Sequence, residues 1–218
     1  MKISKETINV LKNYATISNN LRIYPGNVLT TLSPQQNIFA KCEVTDVFPK
    51  EANIYNLNTL LELISVYDDQ EIEFGDNSLS ISKGSDTFDY TYADPSVMIA
   101  PPAGKSIELD NHFQFKMTSA DIIMINKAAG ITGAEQINIV AANGKAVLTV
   151  GDKAKSMKHT KTLGTTDLVF DVKLDVPNFR VTPEEYTVTL SKKKFLHFKS
   201  ETAGVPQYWL ALDPKSVV

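Results

Sequence analysis

An internal repeat is the feature of this sequence that most constrains its fold. Residues 4–17 (SKETINVLKNYATI) align with residues 118–131 (TSADIIMINKAAGI) at an offset of 114, and the apolar positions of the two segments coincide. Two shorter matches follow in the same order at an offset of 119: Val28-Leu29-Thr30 with Val147-Leu148-Thr149, and Asp94-Pro95 with Asp213-Pro214. Three matches in one order at a nearly constant offset predict two copies of one domain.

Both copies contain the same predicted elements. Each begins with a helix whose N-cap is Ser4 or Thr118, and Asp121, three residues after Thr118, indicates a capping box. A hairpin follows. We predict its turn at Pro25-Gly26-Asn27 in the first copy and at Asn143-Gly144 in the second, where Asn-Gly favours a type I′ turn.

The rest of each copy is a strand, a second helical segment and two or three alternating strands. The second segment covers 58–67 in the first copy, and 176–181 in the second, where Pro177 and Pro183 shorten it. The predicted fold class is therefore α+β, with two tandem duplicated domains, each an antiparallel sheet with two helices.

A linker rich in proline separates the two predicted domains. It covers about 94–106 and contains Pro95, Pro101, Pro102 and Gly104. The predicted boundaries are 1–100 for the first domain and 107–218 for the second.

Composition narrows the classes of function. The chain has 218 residues, and its single cysteine, Cys42, excludes a disulfide framework and suits a reducing compartment. No apolar run reaches the roughly 18 residues of a membrane span, and the N-terminus lacks the apolar core of a signal peptide. We therefore expect a cytoplasmic protein with no membrane partner.

Charge is unevenly distributed along the chain. The net charge is −3, but residues 1–108 hold 8 basic and 14 acidic side chains, whereas residues 109–218 hold 14 basic and 11 acidic ones. Net charge says nothing about the sign of one face, so the positions of the lysines decide whether nucleic acid is a partner.

The first helix of each copy carries a lysine-and-amide face on a helical wheel. In the first copy the arc holds Lys2, Lys5, Asn9, Lys12, Asn13 and Thr16. In the second copy it holds Lys116, Ser119, Ile123, Asn126, Lys127 and Gly130. A solvated face usually mixes charge signs, whereas neither arc contains a carboxylate. A phosphate backbone fits such diffuse lysines, although an ordinary solvated face stays an alternative.

Three further lysines and one arginine join the predicted DNA-facing set. Lys153, Lys155 and Lys158 lie in the basic segment 151–161, which is either an exposed hairpin tip or a DNA contact, and Arg180 lies within the second helical segment of the second copy, 176–181. We interpret the run Lys192-Lys193-Lys194 as a solubilising turn.

The sequence resembles a known family. Residues 1–17 (MKISKETINVLKNYATI), residues 52–58 (ANIYNLN) before a leucine-rich helix, and residues 93–96 (ADPS) are similar to the sliding clamps of T-even-type bacteriophages. These motifs are not catalytic, and the resemblance is clearest over the first 100 residues. It implies a DNA polymerase processivity factor: a homotrimeric, pseudo-sixfold ring threaded by duplex DNA in the infected bacterial cell.

The resemblance also implies partners. They are the replicative DNA polymerase, an ATP-driven clamp loader and late-transcription factors, whose peptides insert into an apolar pocket near the domain junction. The residues assigned to its walls are Val97, Met98, Ile99, Tyr208 and Trp209. The apolar run 97–99 can instead dock onto its own domains, and Trp209 can be a core residue.

The dimensions of such a ring agree with three chains. If each domain lines the hole with two helices about 10 Å apart, six domains give a hole roughly 28 Å wide after about 10 Å is subtracted for helix thickness. A duplex roughly 20 Å wide passes through it, whereas four domains leave only about 15 Å.

Catalysis has no support in the sequence. The three histidines are far apart, Cys42 has no nearby histidine, and no glycine-rich phosphate loop occurs. We therefore predict a non-enzyme with no cofactor and no metal site. The rival interpretations are a phage structural protein of two tandem α+β domains and a single-strand-binding module, which the lack of aromatics among the lysines disfavours.

Overall fold

The chain divides into two compact units. The computed structural model describes residues 1–152 and 157–218, with the side chain of Asp152 left out. The first unit comprises Met1–Ser106 together with the short segment Ala203–Pro206, and the second comprises Ile107–Thr202 and Gln207–Val218.

The first unit contains two α-helices and three sets of antiparallel strands among its described residues. Strand β1 pairs with β4, β2 pairs with β3, and β5, β6 and β7 form a meander in that order. The elements are α1 (Lys5–Ala15), β1 (Leu21–Ile23), β2 (Gly26–Leu32), β3 (Ile38–Phe48), β4 (Ala52–Ile54), α2 (Leu57–Val66), β5 (Glu71–Phe74), β6 (Ser78–Lys83) and β7 (Asp86–Thr91).

The second unit contains one α-helix among its described residues and two antiparallel strand sets. One set has the order β11-β10-β9-β12 and the other the order β8-β13-β14-β15. The elements are β8 (Phe113–Met117), α3 (Ser119–Thr132), β9 (Gln136–Ala142), β10 (Lys145–Asp152), β11 (Met157–Thr165), β12 (Phe170–Asp175), β13 (Tyr186–Ser191), β14 (Phe195–Lys199) and β15 (Gln207–Ala211).

The predicted duplication is confirmed by the order of these elements. Both units contain a capped helix, four strands, a second helical segment and a three-stranded meander in that order, and the second unit has the additional strand β8 before its helix. The second helical segment differs between the copies. In the first unit it is the ten-residue helix α2, whereas in the second it is a single 3-10 turn, Val176–Asn178, which contains Pro177. Pro177 lies in the first turn of this segment, where its missing backbone N–H costs no intrahelical hydrogen bond, so it does not by itself explain why the segment is short.

Side-chain caps fix where α1 and α3 begin. The Ser4 hydroxyl accepts a hydrogen bond from the Thr7 amide at 3.2 Å. In α3, the Thr118 hydroxyl accepts from the Asp121 amide, and the Asp121 carboxylate accepts from the Thr118 amide at 2.9 Å. Both predicted N-caps and the capping box are confirmed.

One of the two predicted hairpin turns is wrong. Asn143 and Gly144 both have positive φ, 53° and 79°, and join β9 to β10 as a type I′ turn requires. The segment Pro25-Gly26-Asn27, in contrast, does not join paired strands, because β1 pairs with β4 and β2 pairs with β3. The hairpin turn is the loop before Ile38, where the Ser33 hydroxyl accepts the backbone amide of Ile38 at 3.0 Å.

Each unit has an apolar interior formed by its sheets and helices. Leu11, Ile54 and Leu57 are almost completely buried in the first unit, as are Phe170 and Leu210 in the second. Among the described residues no helix is both long enough and apolar enough to cross a bilayer.

Candidate nucleic-acid interface

Helix α1 has one buried face and one exposed polar face. Val10, Leu11 and Tyr14 are buried, and the Tyr14 hydroxyl donates to the Leu29 carbonyl of β2 at 3.2 Å. This anchoring fixes the rotation of the helix. The side chains exposed on the opposite face include Lys5, Asn9, Lys12 and Thr16.

The exposed face of α1 borders a groove about 570 Å³ in volume, which we call the α1–α2 groove. Lys5, Asn9 and Lys12 line it from α1, and Leu61 and Ile64 line it from α2. Within the described part of the chain, neither Lys5 nor Lys12 forms an ion pair, and both side chains are exposed. Their charges are available to an anion.

Two carboxylates also reach this groove, which the sequence did not predict. Helix α1 has no acid on this face, but Asp68 and Asp69, in the segment after α2, line the same groove. The Lys2 ammonium lies 2.5 Å from the Asp69 carboxylate. This hydrogen bond raises the pKa of Lys2 and lowers the pKa of Asp69. A helical wheel cannot show a partner 67 residues away, so no signal in the sequence could have revealed it.

The second unit presents fewer lysines on its helix than the wheel predicted. Asn126 and Lys127 are exposed on α3. Lys116 is exposed but lies in β8, opposite Thr187 of β13, because α3 begins only at Ser119. Lys2 likewise precedes its helix, α1, which begins at Lys5.

Apolar side chains are exposed on the same helix. The exposed fraction is 75% for Ile131 and 48% for Met124, and Ile123 is also exposed. The solvent-facing side of α3 is therefore mixed, unlike the polar face of α1.

Helix α3 is tied to strand β11 by an ion pair. Lys161 of β11 lies 2.7 Å from the Asp121 carboxylate. Burial favours the neutral acid, but the hydrogen bonds from Lys161 and from Thr118 outweigh it and lower the pKa of Asp121. Lys161 is thus engaged within the unit.

The other predicted DNA-facing residues are dispersed. Lys158 is exposed on β11, and Arg180 is exposed just after the 3-10 turn 176–178. Lys153 and Lys155 lie outside the described residues. In the turn after β13, Lys193 pairs with Glu108 at 3.2 Å and the Lys194 ammonium donates to the Pro214 carbonyl at 2.9 Å.

The apolar run 97–99 in the linker is attached to the first unit at its C-terminal end. The Ile99 amide donates to the Asn20 side-chain oxygen at 3.4 Å, and the Tyr24 hydroxyl donates to the Pro101 carbonyl at 3.2 Å. Within the run, Val97 is 55% exposed and Ile99 40% exposed, and Met98 is half-buried. Two apolar side chains therefore project into solvent from a fixed segment.

The two aromatic residues assigned to the pocket differ in their surroundings. Tyr208 is completely buried in the second unit, where its hydroxyl donates to the Thr182 hydroxyl at 3.2 Å, so its ring offers no surface to a peptide. Trp209 is half-buried and stacks on His197 with ring centroids 4.4 Å apart. Burial lowers the pKa of His197 and favours its neutral form in this stack.

No group of metal-ligating side chains occurs among the described residues. Cys42 is buried, and its thiol donates to the Gly204 carbonyl at 3.3 Å. The described residues present a lysine-bearing helix face and exposed apolar linker residues.

Comparison with known proteins finds similarity to DNA sliding clamps. The family model described as "DNA polymerase processivity factor" matches residues 4–100. The sliding clamp of Enterobacteria phage T4 is 26% identical to this chain over 234 residues, which cover 99% of this chain and 98% of that protein. This chain is therefore similar to a phage sliding clamp along almost its whole length. The sliding clamp of Vibrio phage KVP40 is 28% identical over 165 residues, or 73% of this chain and 75% of that protein.

The clamp also shares its fold with solved structures of a cellular clamp. A. fulgidus PCNA, solved with the C-terminal region of FEN-1 bound, superposes with a TM-score of 0.70 at 14% identity, covering 96% of each chain. The predicted α+β clamp fold, with its duplicated domains, is therefore confirmed. The protein is a DNA sliding clamp and processivity factor, and the alternative of a phage structural protein is not supported.

Proposed function

We propose that three copies of this clamp close into a homotrimeric ring around duplex DNA, with the exposed face of α1 turned towards the phosphates. Each chain contributes two clamp domains, 1–100 and 107–218, so three chains supply six. The observation that carries the proposal is the pair Lys5 and Lys12, exposed and without an ion pair in the described part of a chain whose net charge is −3.

Weak and diffuse attraction is what a sliding ring requires. Lysines that neutralise phosphates without reading bases give sequence-independent, salt-dependent binding. A few such contacts per domain hold the duplex near the centre of the ring without fixing its position. Topological linkage then keeps the polymerase on its template.

Two strand edges of opposite charge support ring closure. Among the described strands, β7 has a paired neighbour on one side only, β6, and β11 likewise has only β10. Strand β7 carries Asp86 and Asp89, whereas β11 carries Lys158 and Lys161, of which Lys161 already pairs with Asp121 of its own unit. Open strand edges pair with other strands, and a head-to-tail contact between different edges of one chain closes into a ring when the rotation permits.

The number of helices around the hole needs revision. The second unit has one α-helix and a 3-10 turn among its described residues, rather than two helices. Twelve α-helices therefore do not line the proposed ring. The stoichiometry of three rests instead on the two domains per chain and on the resemblance to phage sliding clamps, whereas the edges of β7 and β11 support only head-to-tail closure.

We further propose that partner proteins dock at the exposed linker residues Val97 and Ile99, beside Met98. The partners are the replicative polymerase, an ATP-driven clamp loader and late-transcription factors, in the cytoplasm of the infected host cell. The likeness to A. fulgidus PCNA, which was solved with a segment of another protein bound, supports this kind of partner. We propose no catalytic role for the chain.

Charge reversal tests the DNA-facing assignment. Lys5, Lys12, Lys116 and Lys127 are changed together to Glu, and stimulation of the polymerase on primed circular DNA is measured with the clamp loader present. We expect stimulation to be lost while the mass of the assembly stays unchanged, because the phosphates then meet four added carboxylates per chain.

A matched variant controls for total charge. The same four reversals are made at Lys145, Lys192, Lys199 and Lys215, which are exposed and lie outside the α1–α2 groove. This variant should keep most of the stimulation. Equal loss in both variants, or full stimulation by the first, would contradict the assignment of α1 to the DNA-facing side.

A further inference from the structure

The α1–α2 groove holds one lysine that already has a partner. Lys2 is 2.5 Å from the Asp69 carboxylate, whereas Lys5 and Lys12, which line the same groove, have no ion pair among the described residues. The side chains of Lys2 and Asp69 are 55% and 76% exposed, so water and a phosphate group can reach both. An exposed pair of this kind is held weakly, and a phosphate can compete for its lysine.

The backbone after α2 fixes the position of Asp69. The helix ends at Val66, Tyr67 leaves it in an extended conformation, and Asp69 then takes the left-handed conformation with φ of 67°. The ring of Tyr67 packs against Phe88 of β7 with centroids 5.8 Å apart, which anchors the turn to the sheet. Asp69 is therefore presented to Lys2 by an anchored turn.

Other charges lie close to the pair. The charge of Glu71, like that of Asp69, raises the pKa of Lys2. The charge of Lys83, like that of Lys2, lowers the pKa of Asp69. Asp68 is exposed in the same groove. Asp69 and Glu71 thus both act on Lys2. The positive charge available to a phosphate in the groove therefore comes mainly from Lys5 and Lys12.

We infer that Asp69 limits how strongly the clamp holds DNA, because it withholds the Lys2 ammonium from the phosphates. This inference rests on the proposed function, since it assumes that the α1–α2 groove faces the duplex. Asp69 is a residue that tunes the sliding contact through Lys2, and it need not touch the nucleic acid. Its removal should make the ring bind more tightly and slide more slowly.

The test is the salt dependence of binding to a short fluorescent duplex. Asp69→Asn removes the charge but preserves the turn, because asparagine also tolerates the left-handed conformation. We expect the slope of log affinity against log salt to steepen by about 0.9 for each Lys2 that reaches a phosphate, or about 2.7 for three copies. Diffusion of the loaded clamp along DNA should slow in parallel.

A second ion pair in the same unit provides the matched control. Lys50 and Asp76 are 2.6 Å apart with exposed fractions of 52% and 86%, and neither lines the α1–α2 groove. Asp76→Asn should leave the salt slope unchanged. In a Lys2→Met background, Asp69→Asn should also change nothing, because the lysine that it releases is then absent.

The outcomes separate this inference from the proposed function. If Asp69→Asn leaves the slope unchanged while reversal of Lys5 and Lys12 weakens binding, Asp69 does not limit the contact and the DNA-facing assignment stands. If Asp69→Asn steepens the slope equally in the Lys2→Met background, the effect is a general one of charge, and the role of Lys2 is overturned. If reversal of Lys5 and Lys12 has no effect either, both proposals are wrong.

Discussion

At the scale of single residues, burial decides which reactive groups of the clamp are available. Cys42 is 2% exposed, and burial together with the neighbouring Glu43 raises the pKa of its thiol to about 12. The thiol also donates to the Gly204 carbonyl. Because the thiolate is the nucleophile, Cys42 should be inert in the folded protein.

We therefore predict that Cys42 reacts with a thiol reagent only on unfolding. At pH 8, its reaction rate should be lower in the native protein than in denaturant by a factor of about 10³ or more, from the thiolate fractions alone. The rate is measured by absorbance with and without denaturant. A Cys42→Ser variant that also carries Ser85→Cys, at an exposed turn, should react at once, and rapid native labelling of Cys42 would contradict its burial.

The Lys2–Asp69 ion pair could not be predicted from the sequence. The polar face of α1 could be predicted, because Lys5, Asn9 and Lys12 recur at helical spacing within one segment. The acid that binds Lys2 comes from another element, and its approach depends on a turn with positive φ after α2. Contacts of this kind follow from tertiary packing, which local periodicity does not encode.

At the scale of elements, the capping box of Thr118 and Asp121 stabilises the N-terminus of α3. The Asp121 carboxylate accepts hydrogen bonds from Thr118 and from Lys161, and its pKa is lowered. A lowered pKa means that the ionised form stabilises the fold above the pKa of the unfolded chain, near 3.9. This stabilisation is lost as the pH falls through the lower folded value.

Substitution of the capping residues should therefore lower the free energy of unfolding by an amount that depends on pH. Thr118→Ala should reduce the free energy of unfolding by about 1 kcal/mol, and Asp121→Asn should cost about 1 kcal/mol at pH 7. The cost of Asp121→Asn should fade as the pH falls from about 4, the pKa in the unfolded chain, through the lower pKa of folded Asp121, below which the wild-type side chain is also neutral. Denaturant titrations across a pH series measure the free energy of unfolding of both variants. Thr160→Ala, at an exposed position, serves as the control. A cost of Asp121→Asn that persists at low pH would exclude its charge as the cause.

Prediction of whole elements succeeded where the chemistry is local. The N-caps at Ser4 and Thr118 and the Asn143-Gly144 turn depend on neighbouring residues, and the structure confirms all three. The turn predicted at 25–27 was wrong because strand pairing is non-local: β1 pairs with β4, which lies beyond the next hairpin. The segment 203–206, which belongs to the first unit although it lies within the second along the chain, had no local signal.

At the scale of the whole molecule, the duplication accounts for most of what the sequence could predict. The two copies of one domain predict the fold class, and the similarity to sliding clamps indicates the function. The number of chains in the assembly depends on surfaces of different copies, and a single chain carries only its own half of each contact. The opposite charges on β7 and β11 are the observation from which we propose head-to-tail closure.

The absolute mass in solution tests this central proposal most directly. Light scattering across a concentration series should find a species near 72.3 kDa, three times the chain mass of 24.1 kDa, and this species should fall towards 24.1 kDa only on dilution. Head-to-tail contacts between the β7 and β11 edges predict a mass that stops rising at three copies, because a closed ring has no free edge. A strict monomer at high concentration would contradict the ring, and with it the encircling of DNA.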